Sequence, residues 1–235
     1  MPTIHANYDL FATDGEAFFA FPMGLPIPGD FFDRGSRPWT GLIKFHGFPF
    51  RTFRDPRPGV GVEHKTGEAD TAVLRQQDVA INQIGGHGTT PIVLAALQLR
   101  SVGPIAVRVG NRVEHWDVEV RVSRSRPSAG HMTITQTSAT GGHFDSDFMI
   151  VPEFTFIRQA DGDQKVLDFG TVSVPAPRQA LAARISTLQA YDVPFELTQP
   201  ADALHIAGLT STNFAVARIA HHNHNVVQVR AIALP

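Results

Sequence analysis

The stretch Arg112-Val113-Glu114-His115-Trp116-Asp117-Val118-Glu119-Val120-Arg121-Val122 decides the fold class. Successive side chains of an extended chain point to opposite faces, so Trp116, Val118, Val120 and Val122 share one side and His115, Asp117, Glu119 and Arg121 the other. This period of two predicts a strand half buried in an antiparallel sheet, with one face on the core and one in water.

Working outward, the same signal recurs over Leu42 to Phe50, Thr71 to Ile81, Ile92 to Arg100, Ile105 to Val109 and His131 to Thr137. Gly142 to Arg158 reads as one long strand with Phe144, Phe148, Ile150, Phe154 and Phe156 on a single face, interrupted at Pro152 by a bulge or a sheet edge. Asp161-Gly162 is a hairpin turn returning through Val166 to Val174. Beyond it, Phe195 to Leu197, Leu204 to Ala207, Asn213 to Ala220 and Val226 to Ile232 carry strand character, and the last two form a terminal hairpin around His221 to Asn225. One segment, Arg178 to Ala190, places Leu181, Ile185 and Leu188 at helical spacing and predicts one short helix.

The first 65 residues differ in character. Phe18, Phe19, Phe21, Phe31 and Phe32 are interleaved with Pro22, Gly24, Pro26, Pro28 and Gly29, which removes backbone donors and disfavours helix. This arm is expected to run as extended pieces and turns whose rings plug onto a core made elsewhere. It also carries more aromatic surface than one sandwich edge needs, which leads to the expectation of a homo-oligomer assembled through the arm. The fold class that follows is all-β: a single antiparallel β-sandwich or jelly-roll-like domain over residues 1–235, with an extended Phe/Pro/Gly-rich N-terminal arm and at most one short helix.

Composition excludes several classes of function. With 20 Lys plus Arg against 22 Asp plus Glu, the net charge of -2 provides no field for a phosphate backbone, and nucleic acid is not an expected partner. The absence of cysteine excludes disulfides, Cys-ligated metals and thiol catalysis. No run of about 18 apolar residues exists to span a bilayer as a helix. The chain opens Met1-Pro2-Thr3-Ile4-His5 without a basic and apolar leader, and the reading leans to an exported protein, extracellular or at the cell surface.

Two clusters carry possible metal chemistry. His143, Asp145 and Asp147 fall on one face of a strand at two-residue spacing, and an imidazole with carboxylates suits a divalent transition metal. His222 and His224 project together if their segment is extended, and a pair of imidazoles chelates the same ions. The structural reading of the first is the wetted stripe of a half-buried strand, and of the second a polar turn in which Asn223 and Asn225 tolerate left-handed backbone. His87 in Gly85-Gly86-His87-Gly88 reads as a turn and Asp161-Gly162-Asp163 as a hairpin, not as phosphate or calcium loops. No Gly-x-Ser-x-Gly string is present, and Ser123, Ser125 and Ser128 lie in a basic loop with nothing to activate them. Glu153 and Asp168 are acids that spacing alone does not distinguish from structural ones.

Several strings resemble those of an uncharacterised bacterial family of secreted, β-rich proteins. They are Gly29-Asp30-Phe31-Phe32 with Gly35-Ser36 and Thr40-Gly41, Leu99-Arg100-Ser101-Val102 with Pro104-Ile105, Trp116-Asp117-Val118 and Val166-Leu167-Asp168, covering about residues 29–168. The resemblance implies an exported β protein and supplies no activity and no site residues.

The expectation that follows is a non-catalytic, secreted or surface-associated structural or self-assembly protein with no cofactor. The alternatives are a metal-dependent enzyme of cupin or jelly-roll type using the His/Asp cluster, and a carbohydrate-binding module stacking sugars on Trp39, Trp116, Tyr8 or Tyr191.

Overall fold

A computed structural model of the chain describes residues 3–4, 6, 8–13, 17–21, 23, 26–54, 63–67, 69–138, 141–171, 187–196, 217–219 and 228–229. In chain order the strands begin with β1 (Thr3–Ile4), β2 (Tyr8–Thr13), β3 (Ala17–Phe21), β4 (Gly41–Gly47), β5 (Arg51–Arg54), β6 (Glu63–Gly67), β7 (Thr71–Arg75) and β8 (Val79–Ala80). They continue with β9 (His87–Leu97), β10 (Leu99–Ser101), β11 (Ile105–Val109), β12 (Arg112–Val122), β13 (Ser128–Gln136) and β14 (Gly141–Met149). The last are β15 (Pro152–Arg158), β16 (Gln164–Asp168), β17 (Thr187–Glu196), β18 (Ala217–Ile219) and β19 (Gln228–Val229). Two sheets form an antiparallel sandwich. The first runs β16-β15-β12-β10-β4-β3-β19 with β11 also on β12, and the second runs β17-β14-β13-β9-β7-β2-β18. The pairs β1-β8 and β5-β6 are small separate ribbons.

The alternation along β12 sets the first sheet, and its residue bounds are those the sequence predicts. Trp116, Val118 and Val120 are buried, and Val118 and Val120 lie directly opposite Phe156 and Phe154 of β15. Phe154 is the hub of this core: its ring lies 4.5 Å from Phe19, 5.6 Å from Phe21 and 5.5 Å from Phe169, centre to centre. Phe31 and Phe32, from the loop before β4, close edge-on against Phe156 at 5.6 and 5.1 Å. The rings of the N-terminal arm therefore plug onto the core as expected. Phe19, Phe21 and Phe32 are buried in the chain's own body, and Phe18 and Phe31 are half-buried. The three buried rings find their partners within the chain.

The second core lies under β2, β7, β9, β13 and β14, with Phe11, Val73, Ile92, Leu94, Met132, Ile134 and Phe144 at its centre. Leu97 packs on both cores. It does so because β9 carries a bulge: Ala72 pairs with Ala96 but Val73 with Leu94, so one extra residue shifts the parity of the strand. Even-numbered Ile92 and Leu94 face the second core, and odd-numbered Leu97 and Leu99 face inward beyond the bulge. The predicted strand Ile92 to Arg100 is in fact two, β9 in one sheet and β10 in the other. Gly142 to Arg158 divides likewise into β14 and β15, and Pro152 stands where the chain changes sheet.

Two further expectations change. Residues 187–190, the end of the predicted helix, belong to β17, which pairs with β14; the rest of that segment and Leu204 to Ala207 lie outside the described residues. The described parts of the last two predicted strands do not pair with each other. Ala217–Ile219 joins β2 and Gln228–Val229 joins β3, both in parallel, because the hydrogen-bonding edges of β2 and β3 face outward in their sheets.

The chain passes between sheets at Gln98, and Asp70 holds that seam. Its main chain bonds Phe11 O and Gln98 N, at 3.0 and 2.8 Å. Its carboxylate accepts from Thr13 N (2.8 Å), Thr13 Oγ1 (2.9 Å) and Thr71 Oγ1 (2.6 Å). Gly47 at the end of β4 lies so close that a Cβ there would run into Asp70 Oδ2. Gly47→Ala is therefore expected to destabilise by about 1–3 kcal/mol through overpacking, read as a lower urea midpoint with unchanged slope. Phe154→Ala should cost about 3–5 kcal/mol through the lost ring and its cavity, whereas the exposed Val166→Ala should stay within about 0.5 kcal/mol by the same measurement.

Candidate functional site

Register, more than sequence spacing, assembles the polar groups of the second sheet. Along β14, Phe144 and Ser146 are buried, which turns His143, Asp145 and Asp147 to the opposite face, as the spacing predicts. On β13 the residues directly across from them are Thr135, Thr133 and His131. One strand further, on β9, stand His87 opposite Thr135, Thr89 opposite Thr133 and Pro91 opposite His131. Thr89 and Thr133 join their hydroxyls at 3.2 Å. The result is a polar grid with about 5 Å between strands and about 7 Å along them.

His131 and His87 are the members that sequence reading passed over, His87 because its glycine-flanked setting looks like a bare turn. The inward alternation of Met132 and Ile134 contained the signal for His131. Among the described residues, no three of His, Asp or Glu come close enough to hold one metal ion. His222 and His224 lie outside the described residues.

A second polar assembly caps the open end of the first core. Arg112 and Glu114 continue the inward face of β12 past Trp116, and the β15–β16 turn brings Asp161 and Asp163 over them. Arg158 is directly across from Trp116. Its guanidinium lies 5.2 Å from the centre of the Trp116 ring. It bonds Asp161 (2.9 Å), Asp163 (3.3 Å), Glu114 (3.4 Å) and Asp33 (3.4 Å). Arg112 adds Glu114 at 3.1 Å and Lys165 adds Asp163 at 3.3 Å.

The turn itself is the expected hairpin, with Gly162 at φ +77° where a side chain would be strained. Beside the cap lies a cleft of about 490 Å³ bounded by Arg112, Glu114, His115, Arg158, Gln159 and Asp161. Its size is that of a small-molecule pocket. Its cations and carboxylates are, however, already matched to one another.

Electrostatics agree with a capping role. The Arg34 N–H holds the Asp33 carboxyl below the usual range, helped by Arg158 and Arg112. The Asp163 N–H and Arg158 do the same for Asp161. Hydrogen bonding to Asp161 raises Arg158 further. For acids lowered in this way, the stabilisation is present above the ordinary carboxyl value of 3.8 and is lost as the pH falls below it.

The remaining candidates are joints. Ser123 Oγ accepts from Ser125 N and Arg126 N, and Ser128 Oγ accepts from Val151 N. Asp168 accepts from Gly170 N and Ser125 Oγ. Burial raises the Asp168 carboxyl, but bonds from Ser123, Gly170 and Ser125 outweigh it and leave the group lowered. Glu119 pairs with Arg100 at 2.6 Å and with Arg121 at 3.5 Å.

Comparison of the chain with protein-family models, with curated proteins and with solved structures gives no match.

Arg158→Gln keeps hydrogen-bonding capacity but removes the charge shared by four carboxylates. Its urea midpoint is expected to fall at low ionic strength and to recover toward wild type at high salt, because the unmasked repulsion is screened. A salt-independent loss would assign Arg158 a packing role instead.

Proposed function

We propose that the chain is a non-catalytic β-sandwich scaffold of an exported or surface-associated kind, working through contacts of its outer surface in binding or assembly. The observation that carries this reading is where the strongly held ionisable groups sit. Asp9 with Arg75 ties β2 to β7, Asp70 ties the sheet-crossing seam, Asp168 ties the β12–β13 loop, and Arg158 ties the open end of the core. Each joins structural elements that the sandwich must bring together.

Of the residues offered for sugar stacking, Trp116 and Tyr8 are buried, and Trp39 is half buried with its Nε1 bonded to Ala106 O at 3.1 Å. These three give the carbohydrate reading no open platform.

A metal-dependent activity is the second reading: His87, His131, His143, Asp145 and Asp147 share one face, although among the described residues no three of them come close enough to hold one ion. Elemental analysis of protein purified without a histidine tag separates the two. The scaffold reading expects no stoichiometric zinc, manganese, iron or copper. One equivalent of such a metal, lost on substituting His143 by Ala, would replace it with the metal reading.

A further inference from the structure

Strands β2 and β3 would be the outermost strands of the two sheets were it not for β18 and β19, which lie beyond them. β18 pairs Ala217 with Phe11, Arg218 with Ala12 and Ile219 with Thr13, and β19 pairs Gln228 with Phe18 and Val229 with Phe19. Both pairings are parallel, whereas β7 and β4 on the inner sides of β2 and β3 are antiparallel to them. The two covering strands are also short, three residues and two, against nine in each of β13 and β14. A parallel ladder is slightly weaker per residue than an antiparallel one. The segment that carries β18 and β19 is therefore lightly held, and such elements open at small free-energy cost.

We propose that the outer edges of β2 and β3 are a docking site for the β18–β19 segment of a second copy, so that the chain assembles by exchanging this segment. The proposal rests on the assembly reading and deepens it by naming the partner. An edge strand presents a row of N–H and C=O groups that accepts any extended chain, and the page gives one occupant that fits both edges in a defined register. The two seats act as a pair: β18 clips the second sheet and β19 the first, so a donated segment grips both sheets of its acceptor.

The backbone bonds are the same whether the segment seats on its own body or on a neighbour's, so concentration sets the balance between the two. Within one chain a flexible connection holds such a segment at an effective concentration of about millimolar, and that figure falls as the connection lengthens. Residues 197–216 join β17 to β18. At about 3.3 Å per residue they reach at most about 65 Å, more than the roughly 45 Å across a globule of this chain length. The edges of a neighbouring copy are within range, and exchange is expected where copies are crowded together.

The absence of cysteine makes a covalent trap for the exchanged form clean to read. Phe11 belongs to the second core and Thr13 to the Asp70 seam, which leaves Ala12 and Arg218 as the pair to bridge. Paired strands lie about 4.8 Å apart, inside the Cα separation of about 4.4–6.8 Å that a disulfide spans. Full-length Ala12→Cys and Arg218→Cys proteins are mixed at about 0.5 mM, near the effective concentration within one chain, and mildly oxidised. A heterodimer joined through positions 12 and 218 is expected, at least about tenfold more abundant than the product of Ala12→Cys with Val166→Cys, an exposed position outside the seat. The double variant Ala12→Cys/Arg218→Cys, oxidised in dilute solution, is expected to bridge within one chain. A bridged double variant with no excess heterodimer in the mixture would mean that the segment stays on its own body. A double variant that does not bridge would mean that the seat itself does not form. Either result overturns the proposal and leaves the scaffold reading to its own test, the elemental analysis.

Discussion

The sandwich depends on one carboxylate at a crossing. Asp70 meets β2 through Thr13 and Phe11, β7 through Thr71, the β9–β10 passage through Gln98 and β4 through Gly47. Four stretches of chain that belong to two different sheets are thus fixed to a single residue. A chain that changes sheets must break its ladder, and a broken ladder leaves backbone groups that need partners. Asp70 supplies them with both its main chain and its side chain. The space for this exists only because position 47 is a glycine.

A second seam uses hydroxyls in place of a carboxylate. Where the chain passes from β14 to β15, Val151 N donates to Ser128 Oγ and Val151 O accepts from Ser123 N. Ser123 and Ser128, which have no activating neighbour in sequence, hold this passage, and Ser125 links Ser123 to Asp168. Between the two seams the aromatic core sets the packing distance of the first sheet, and the Arg158 cluster closes its end. Among the described residues these buried polar groups join structural elements, and that is the ground on which the scaffold reading is proposed.

The fold class was legible because burial on one face leaves a period-two trace, and β11 and β12 have the residue bounds that their alternation predicts. What stayed hidden were the events that interrupt alternation. Bulging at Ala95 leaves a run of apolar residues with no visible break, so two strands looked like one. The sheet change at Ile150 and Val151 kept its parity and left only Pro152 as a mark. At the candidate site, the facing of His143, Asp145 and Asp147 followed from spacing. The addition of His131 and His87 did not, because cross-strand register is a property of pairing and not of either strand alone. The tetrad around Arg158 joins residues 33, 114, 161 and 163, and no local pattern connects them.

The most direct measurement of the central claim is a double-mutant cycle between Thr13→Ala and Asp70→Asn on the free energy of unfolding, which isolates the bond across the seam from the separate effects of either change. A coupling of about 1–3 kcal/mol is predicted, in the range found for contacting residues of one network. Additivity within about 0.3–0.5 kcal/mol would contradict it, since it would mean that β2 and β7 hold their places without Asp70.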